Sequence, residues 1–135
     1  MHGGSGPAAL DSPSGTWGAI VNIASIAART GGLPGIIPYA ATKGAIETFT
    51  RGIGVELAGE GIRVNAVSPG MIATEMVSPD MERAAQDNIP IGRVGRPEEI
   101  ADAVAFLLSP AASGVVQIRV TAGAGLTLPG RLMAP

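Results

Sequence analysis

The 135-residue chain is 46% hydrophobic and 3% aromatic, which bounds it to one globular domain with an aliphatic, alanine-based core. A formal charge of -2, with eight arginines scattered singly, excludes a basic nucleic-acid face; no cysteine and one histidine, His2, argue against disulfides and a transition-metal centre. No run reaches the ~18 apolar residues of a membrane span, and Met1 to Pro7 lacks the charged and apolar regions of a signal peptide, so a cytoplasmic protein with no membrane partner is expected.

Residues 1–18 are rich in Gly, Pro and Ser without periodicity and read as a flexible lead-in. Ala19 to Ala24 is a short apolar, β-branched run between Gly18 and Ser25, the pattern of a strand buried on both faces. A loop containing Gly31, Gly32, Pro34 and Gly35 follows, and Pro38 suits the first turn of a helix. From Tyr39 to about Leu57, Ile46, Phe49, Ile53 and Leu57 recur at spacings of three and four and predict one buried stripe. Gly59 and Gly61 end that helix, and Ile62 to Val67 reads as a second buried strand, so strand, helix and strand make a parallel crossover. Ser68-Pro69-Gly70 closes it at the carboxyl edge, where open α/β sheets place their ligands.

Met71 to Gly95 is a connecting stretch with one weak helical piece, Pro79 to Asp87. Pro97-Glu98-Glu99 opens another helix, with proline in the first turn, two carboxylates at the positive end of the dipole, and Ile100, Val104, Leu107 and Leu108 as its stripe. Gln117 to Thr121 reads as a third strand, before a Gly-rich tail. The expected architecture is α/β: a partial Rossmann-like, doubly wound parallel sheet of about three strands with two main helices over 19–128, and a tail over 129–135.

Tyr39 is the only tyrosine and Lys43 the only lysine, four residues apart on the helix just described. Residues at i and i+4 share a helix face, so the phenol and the ammonium point into one space. A free phenol titrates near 10, and an ionisable one near pH 7 requires roughly 4 kcal/mol of preference for the phenolate. A cation about 4 Å away contributes roughly that much at an effective dielectric of 20, but about 1 kcal/mol in water. Proton transfer by this pair therefore needs a walled site; in the open it is an ordinary exposed helix turn.

Four segments in order resemble the second half of a classical short-chain dehydrogenase/reductase, over roughly Gly18 to Thr127. Ile20-Val-Asn-Ile-Ala-Ser25 resembles the strand ending in the catalytic serine, and Tyr39-Ala-Ala-Thr-Lys43 matches Tyr-x-x-x-Lys. Ile62 to Thr74 resembles the next strand and its nicotinamide loop, and Gly92 to Ala101 the entry to the following helix. The resemblance implies an NAD(P)-dependent oxidoreductase: hydride passes between nicotinamide and a small carbonyl or secondary alcohol, with Tyr39 as general acid or base. It further implies that Lys43 lowers the phenol's pKa and holds the nicotinamide ribose, that Ser25 hydrogen-bonds the substrate oxygen, and that Pro69, Gly70, Ile72 and Thr74 line the cofactor, NAD or NADP. Taken singly, a serine ending a strand is also a turn former and Pro69-Gly70 is also a plain turn.

The sequence departs from the family in lacking Thr-Gly-x-x-x-Gly-x-Gly and Asn-Asn-Ala-Gly; Gly123-Ala-Gly125 is no substitute, because Pro129 and Gly130 follow where a helix should open. The spacing from Ser25 to Tyr39 is one residue longer than common, and Thr121 to Gly125 replaces a typical Asp-Gly-Gly. These departures predict an unpaired edge on the first strand and a chain that alone is inactive and marginal or self-associating, as a homo-oligomer or paired with another short-chain dehydrogenase/reductase chain. The alternative is a truncated, inactive homologue acting as an interaction or structural subunit, or a gene fragment.

Overall fold

A computed structural model describes residues 18–116 and 119–122. The lead-in expected over 1–18, apart from Gly18, lies outside these residues, as do the tail expected over 129–135 and Gln117 and Ile118 of the third strand. The elements are β1 (Gly18–Ile23), α1 (Ala27–Thr30), α2 (Ile37–Ala58), β2 (Ile62–Pro69), α3 (Pro79–Asn88), α4 (Pro97–Leu108), a 3-10 turn (Pro110–Ala112) and β3 (Arg119–Ala122). The three strands form one parallel sheet in the order β1-β2-β3, with Ile23 opposite Val67 and Val67 opposite Val120. The partial Rossmann-like sheet is as the sequence predicts, and β2 runs two residues further than its apolar pattern, to Pro69.

Alternation along β2 assigns the two faces. Arg63, Asn65 and Val67 face α4, while Val64, Ala66 and Ser68 face α2, and all six are buried. Val67, Leu107 and Ala112 form the core on the α4 side, packed by Val21, Ile100, Ala103, Val104 and Val115. A charged residue is tolerated there because its donors are used. The Arg63 guanidinium donates to the carbonyls of Leu107 (2.8 Å), Ser109 (3.2 Å) and Val115 (3.4 Å), and the Asn65 amide to Val115 (2.9 Å). The Leu107 and Ser109 carbonyls lie at the end of α4, where a helix has unsatisfied acceptors and the negative end of its dipole, and that of Val115 follows the 3-10 turn.

The stripe expected on α2 is corrected by the structure. Phe49 is 59% exposed, and Ile46, Ile53 and Leu57 are half-buried; the buried residues of the helix are Ala40, Thr50 and Gly54. Small side chains let α2 sit close to the sheet, and polar ones tie it there. Asn22 of β1 donates to Thr50 Oγ1 (3.0 Å), and Ser68 of β2 donates to Glu47 Oε1 (2.8 Å). The same kind of shift affects α4, where Leu107 is buried but Leu108 is 41% exposed.

The glycine-rich loop contains one helical turn, α1, closed by Gly31 in the left-handed conformation (φ 79), whose N–H donates to the Ala27 carbonyl. Gly32 follows at φ 78, a dihedral that favours glycine, and a Cβ there would lie 2.8 Å from Ile36 Cγ1 and oblige that side chain to shift.

At the start of α4 the Glu99 carboxylate accepts from both Arg93 guanidinium nitrogens (2.6 and 3.0 Å) and from the Arg96 N–H (2.7 Å). The Arg93 hydrogen bonds and then the Arg96 N–H hold its pKa at about 2, below the ordinary 4.5. A carboxylate with a depressed folded-state pKa stabilises the fold above its unfolded value and loses that contribution as pH falls through the folded one. The difference in melting temperature between the wild type and Glu99→Gln is therefore expected to be full at pH 6 and to shrink between about 4.5 and about 2. Melting curves across that interval check it.

Candidate active site

The carboxyl edge of the sheet collects the residues singled out by the sequence. β1 runs into Ser25, which is 8% exposed and whose Oγ accepts from the Ala27 N–H at 3.1 Å. Ser25 is thus a turn former, and its hydroxyl proton remains available for donation to an oxygen placed before it. The next residue, Ile26, donates its N–H to the Pro69 carbonyl (3.0 Å), which fastens the serine turn to the loop after β2.

Tyr39 lies in the first turn of α2, 46% exposed, and Lys43 one turn later. Lys43 Nζ lies 5.7 Å from the centroid of the Tyr39 ring and donates to the Ile23 carbonyl at 3.0 Å. The i, i+4 spacing has brought phenol and ammonium together as predicted. The bond to Ile23 is not visible in the spacing. It sets the ammonium at the end of β1, two residues before Ser25. An ammonium has three donors, so one bond to Ile23 leaves donors for a vicinal diol such as a ribose.

Pro69 ends β2 and Gly70 leaves it, both half-buried. Ile72 forms a parallel bridge with Gly95, and the Ala73 N–H donates to the Gly95 carbonyl at 2.8 Å, so the return of the chain after α3 braces this loop. Thr74 is exposed, and its Oγ1 accepts from the Met76 N–H. α3 is a full helix rather than a weak piece: Ser78 caps it through the Met81 N–H (3.3 Å), and Ala85 and Ile89 pack against Met71 and Val94. The loop after β2 is thereby carried on its own small core.

Glu47 is not singled out by the sequence, and Ser68 is read there only as the start of the turn that closes β2. Glu47 falls at i+4 from Lys43 and i+8 from Tyr39, so the face that presents the phenol also ties α2 to the residue before Pro69. The signal was that spacing, and the apolar stripe obscured it. Among the described residues no helix is long and apolar enough to cross a membrane.

The parallel sheet thus carries a serine and an ammonium at its carboxyl edge, with a phenol ring beside the ammonium. A family model described as enoyl-(acyl carrier protein) reductase matches residues 8–127. The chain belongs to the short-chain dehydrogenase/reductase family, whose members include oxidoreductases. It is 49% identical over 105 residues to the oxidoreductase YgfF of Escherichia coli, covering 75% of this chain and 42% of that one. It is 42% identical over 117 residues to a galactitol 2-dehydrogenase (L-tagatose-forming) of Cereibacter sphaeroides, covering 82% and 46%. A 3-ketoacyl-(acyl-carrier-protein) reductase from Brucella melitensis, crystallised with NADH, superposes with a TM-score of 0.78 at 33% identity, covering 87% of this chain and 48% of that one. The chain spans about half the length of these relatives.

Proposed function

We propose that this chain is the proton-transfer half of an NAD(P)-dependent short-chain oxidoreductase acting on a carbonyl or secondary alcohol. The observation that carries the reading is the Lys43 ammonium held between the Ile23 carbonyl (3.0 Å) and the Tyr39 ring (5.7 Å) at the carboxyl edge. Tyr39 exchanges a proton with the substrate oxygen, as acid in reduction and base in oxidation. Lys43 sets a positive charge beside the Tyr39 ring and uses its remaining donors on ribose hydroxyls. Ser25 donates its hydroxyl proton to the substrate oxygen and steadies the charge that develops there. Pro69, Gly70, Ile72 and Thr74 border the nicotinamide side. A bound NAD(P) supplies or accepts the hydride.

The donor set here fits the nicotinamide and its ribose. It does not extend to the pyrophosphate, because no Gly-rich phosphate loop occurs in the sequence. The reading therefore includes a partner: a dinucleotide-binding half of the same family, supplied by another polypeptide or by a longer form of this one, which also walls the site. A tyrosine open to water gains only about 1 kcal/mol from a neighbouring cation. The exposed apolar side of α2, with Phe49 and Val55 at 59% and 65% exposure, fits contact with a second family chain. The test is NAD(P)H oxidation with ketone substrates by the purified chain, alone and mixed with the separately produced part of YgfF that lies outside the matched region. The proposal expects turnover in the mixture and none by the chain alone; turnover by the chain alone overturns the need for a second half.

A further inference from the structure

A circuit of hydrogen bonds joins the elements that carry the proposed chemistry. The Ala24 N–H donates to the Val67 carbonyl (2.8 Å) and the Ile26 N–H to the Pro69 carbonyl (3.0 Å), so the end of β2 holds Ser25 through both of its neighbours. The Lys43 ammonium donates to the Ile23 carbonyl at 3.0 Å, which ties α2 to the end of β1. The circuit closes between α2 and β2, where the Ser68 hydroxyl donates to Glu47 Oε1 at 2.8 Å. Neither partner of this last bond has a step in the proposed reaction.

The bond is made where it is strong. Ser68 is 0% exposed and Glu47 is half-buried, so a carboxylate has been drawn out of water against the sheet. That burial is unfavourable unless hydrogen bonds offset it, and a bond to an ionised acceptor is roughly twice as strong as a neutral one. Glu47 lies one turn from Lys43 and two from Tyr39 on α2, so its carboxylate moves with the ammonium and the phenol. Ser68 precedes Pro69 and Gly70, so its hydroxyl moves with the residues that border the nicotinamide. Proton transfer from Tyr39 and hydride transfer from the nicotinamide act on the oxygen and the carbon of one carbonyl group. Helix and strand end must therefore keep their separation, since a displacement of about 1 Å costs about 10²-fold in rate.

We propose that Glu47 is a positioning residue: through Ser68 it fixes the helix that carries Tyr39 and Lys43 against the end of β2 that carries Pro69 and Gly70. The role rests on the oxidoreductase reading of this site and adds to it a residue that touches neither substrate nor cofactor.

Amide hydrogen exchange of this chain, followed residue by residue by NMR, tests the tie without turnover. Glu47→Leu is expected to raise exchange at Ala24 and Ile26, whose acceptors flank Ser68, at least about tenfold more than at Val104 and Leu107 of α4 on the opposite face of the sheet. Ser68→Ala removes the same bond by deleting one oxygen, gives the same pattern, and covers the case in which Glu47→Leu fails to fold. The double variant shows no further rise, because both changes act through one bond. Glu47→Gln keeps an acceptor oxygen for the hydroxyl and stays within about threefold of the wild type. In the mixture with the part of YgfF outside the matched region, Glu47→Leu lowers kcat at least about tenfold with KM within about threefold, and Glu47→Gln restores it. Exchange raised equally in α4 makes Glu47 an ordinary stability residue and overturns the proposal. Exchange unchanged at Ala24 and Ile26 does the same, as does a wild-type kcat in Glu47→Leu. A wild-type mixture without turnover defeats the proposed reaction instead, and the exchange pattern then decides the tie by itself.

Discussion

On the proposed mechanism, Tyr39→Phe is expected to lower carbonyl reduction by this chain combined with a dinucleotide-binding half about 10²- to 10⁴-fold, the usual contribution of a positioned general acid. The substitution removes one oxygen from a ring that is 46% exposed in the first turn of α2, so helix and sheet remain as they are. The proton then has to come from water, and the oxyanion keeps only the donor from Ser25. The loss falls in kcat rather than in KM, because the proton is transferred in the transition state. Steady-state kinetics of the mixture, with circular dichroism as a check on folding, reads the effect. A Tyr39→Phe variant within about threefold of the wild type would remove the phenol from the reaction; a comparable loss in KM alone would make it a binding group.

The second large effect is on stability. Arg63→Ala is expected to cost roughly 3 kcal/mol or more, since each hydrogen bond from a charged donor contributes about 1.5–3 kcal/mol and its loss strands buried carbonyls. Arg63 is 2% exposed and holds three carbonyls, of Leu107, Ser109 and Val115, which join the middle layer of the sheet to the end of α4. Its Nε has no partner among the described residues, so part of the burial cost is uncompensated and the three bonds carry the site. Arg63→Lys recovers part of the loss, because one ammonium cannot span the carbonyls that a planar guanidinium reaches. Urea unfolding of the variants measures this, and a loss below about 1 kcal/mol for Arg63→Ala would show that the bonds only offset desolvation.

The strands and the Tyr39–Lys43 pair were legible because their signals are local. Ala19 to Ala24 and Ile62 to Val67 hold enough apolar, β-branched residues between glycine and serine punctuation to announce strands, and i, i+4 spacing decides that two side chains share a helix face. What escaped depends on partners distant in sequence. Nothing near Arg63 or Asn65 in the chain shows that the end of α4 and Val115, more than 40 residues away, supply acceptors to them. The apolar residues of α2 suggested the wrong inner face, because periodicity locates a stripe without saying what covers it. Ala40, Glu47, Thr50 and Gly54 form the fainter stripe, and it is the one that meets the sheet. The left-handed Gly32 was readable as loop punctuation, but the closeness of Ile36 was not. The Lys43 bond to Ile23 lies beyond any pattern reading, since it joins a helix side chain to a backbone oxygen.

The measurement that bears most directly on the central claim is NAD(P)H oxidation with a ketone by this chain combined with the part of YgfF outside the matched region, comparing wild type with Tyr39→Phe. The account predicts turnover that requires both parts and falls at least about a hundredfold without the phenol. Turnover that survives Tyr39→Phe unchanged would contradict it.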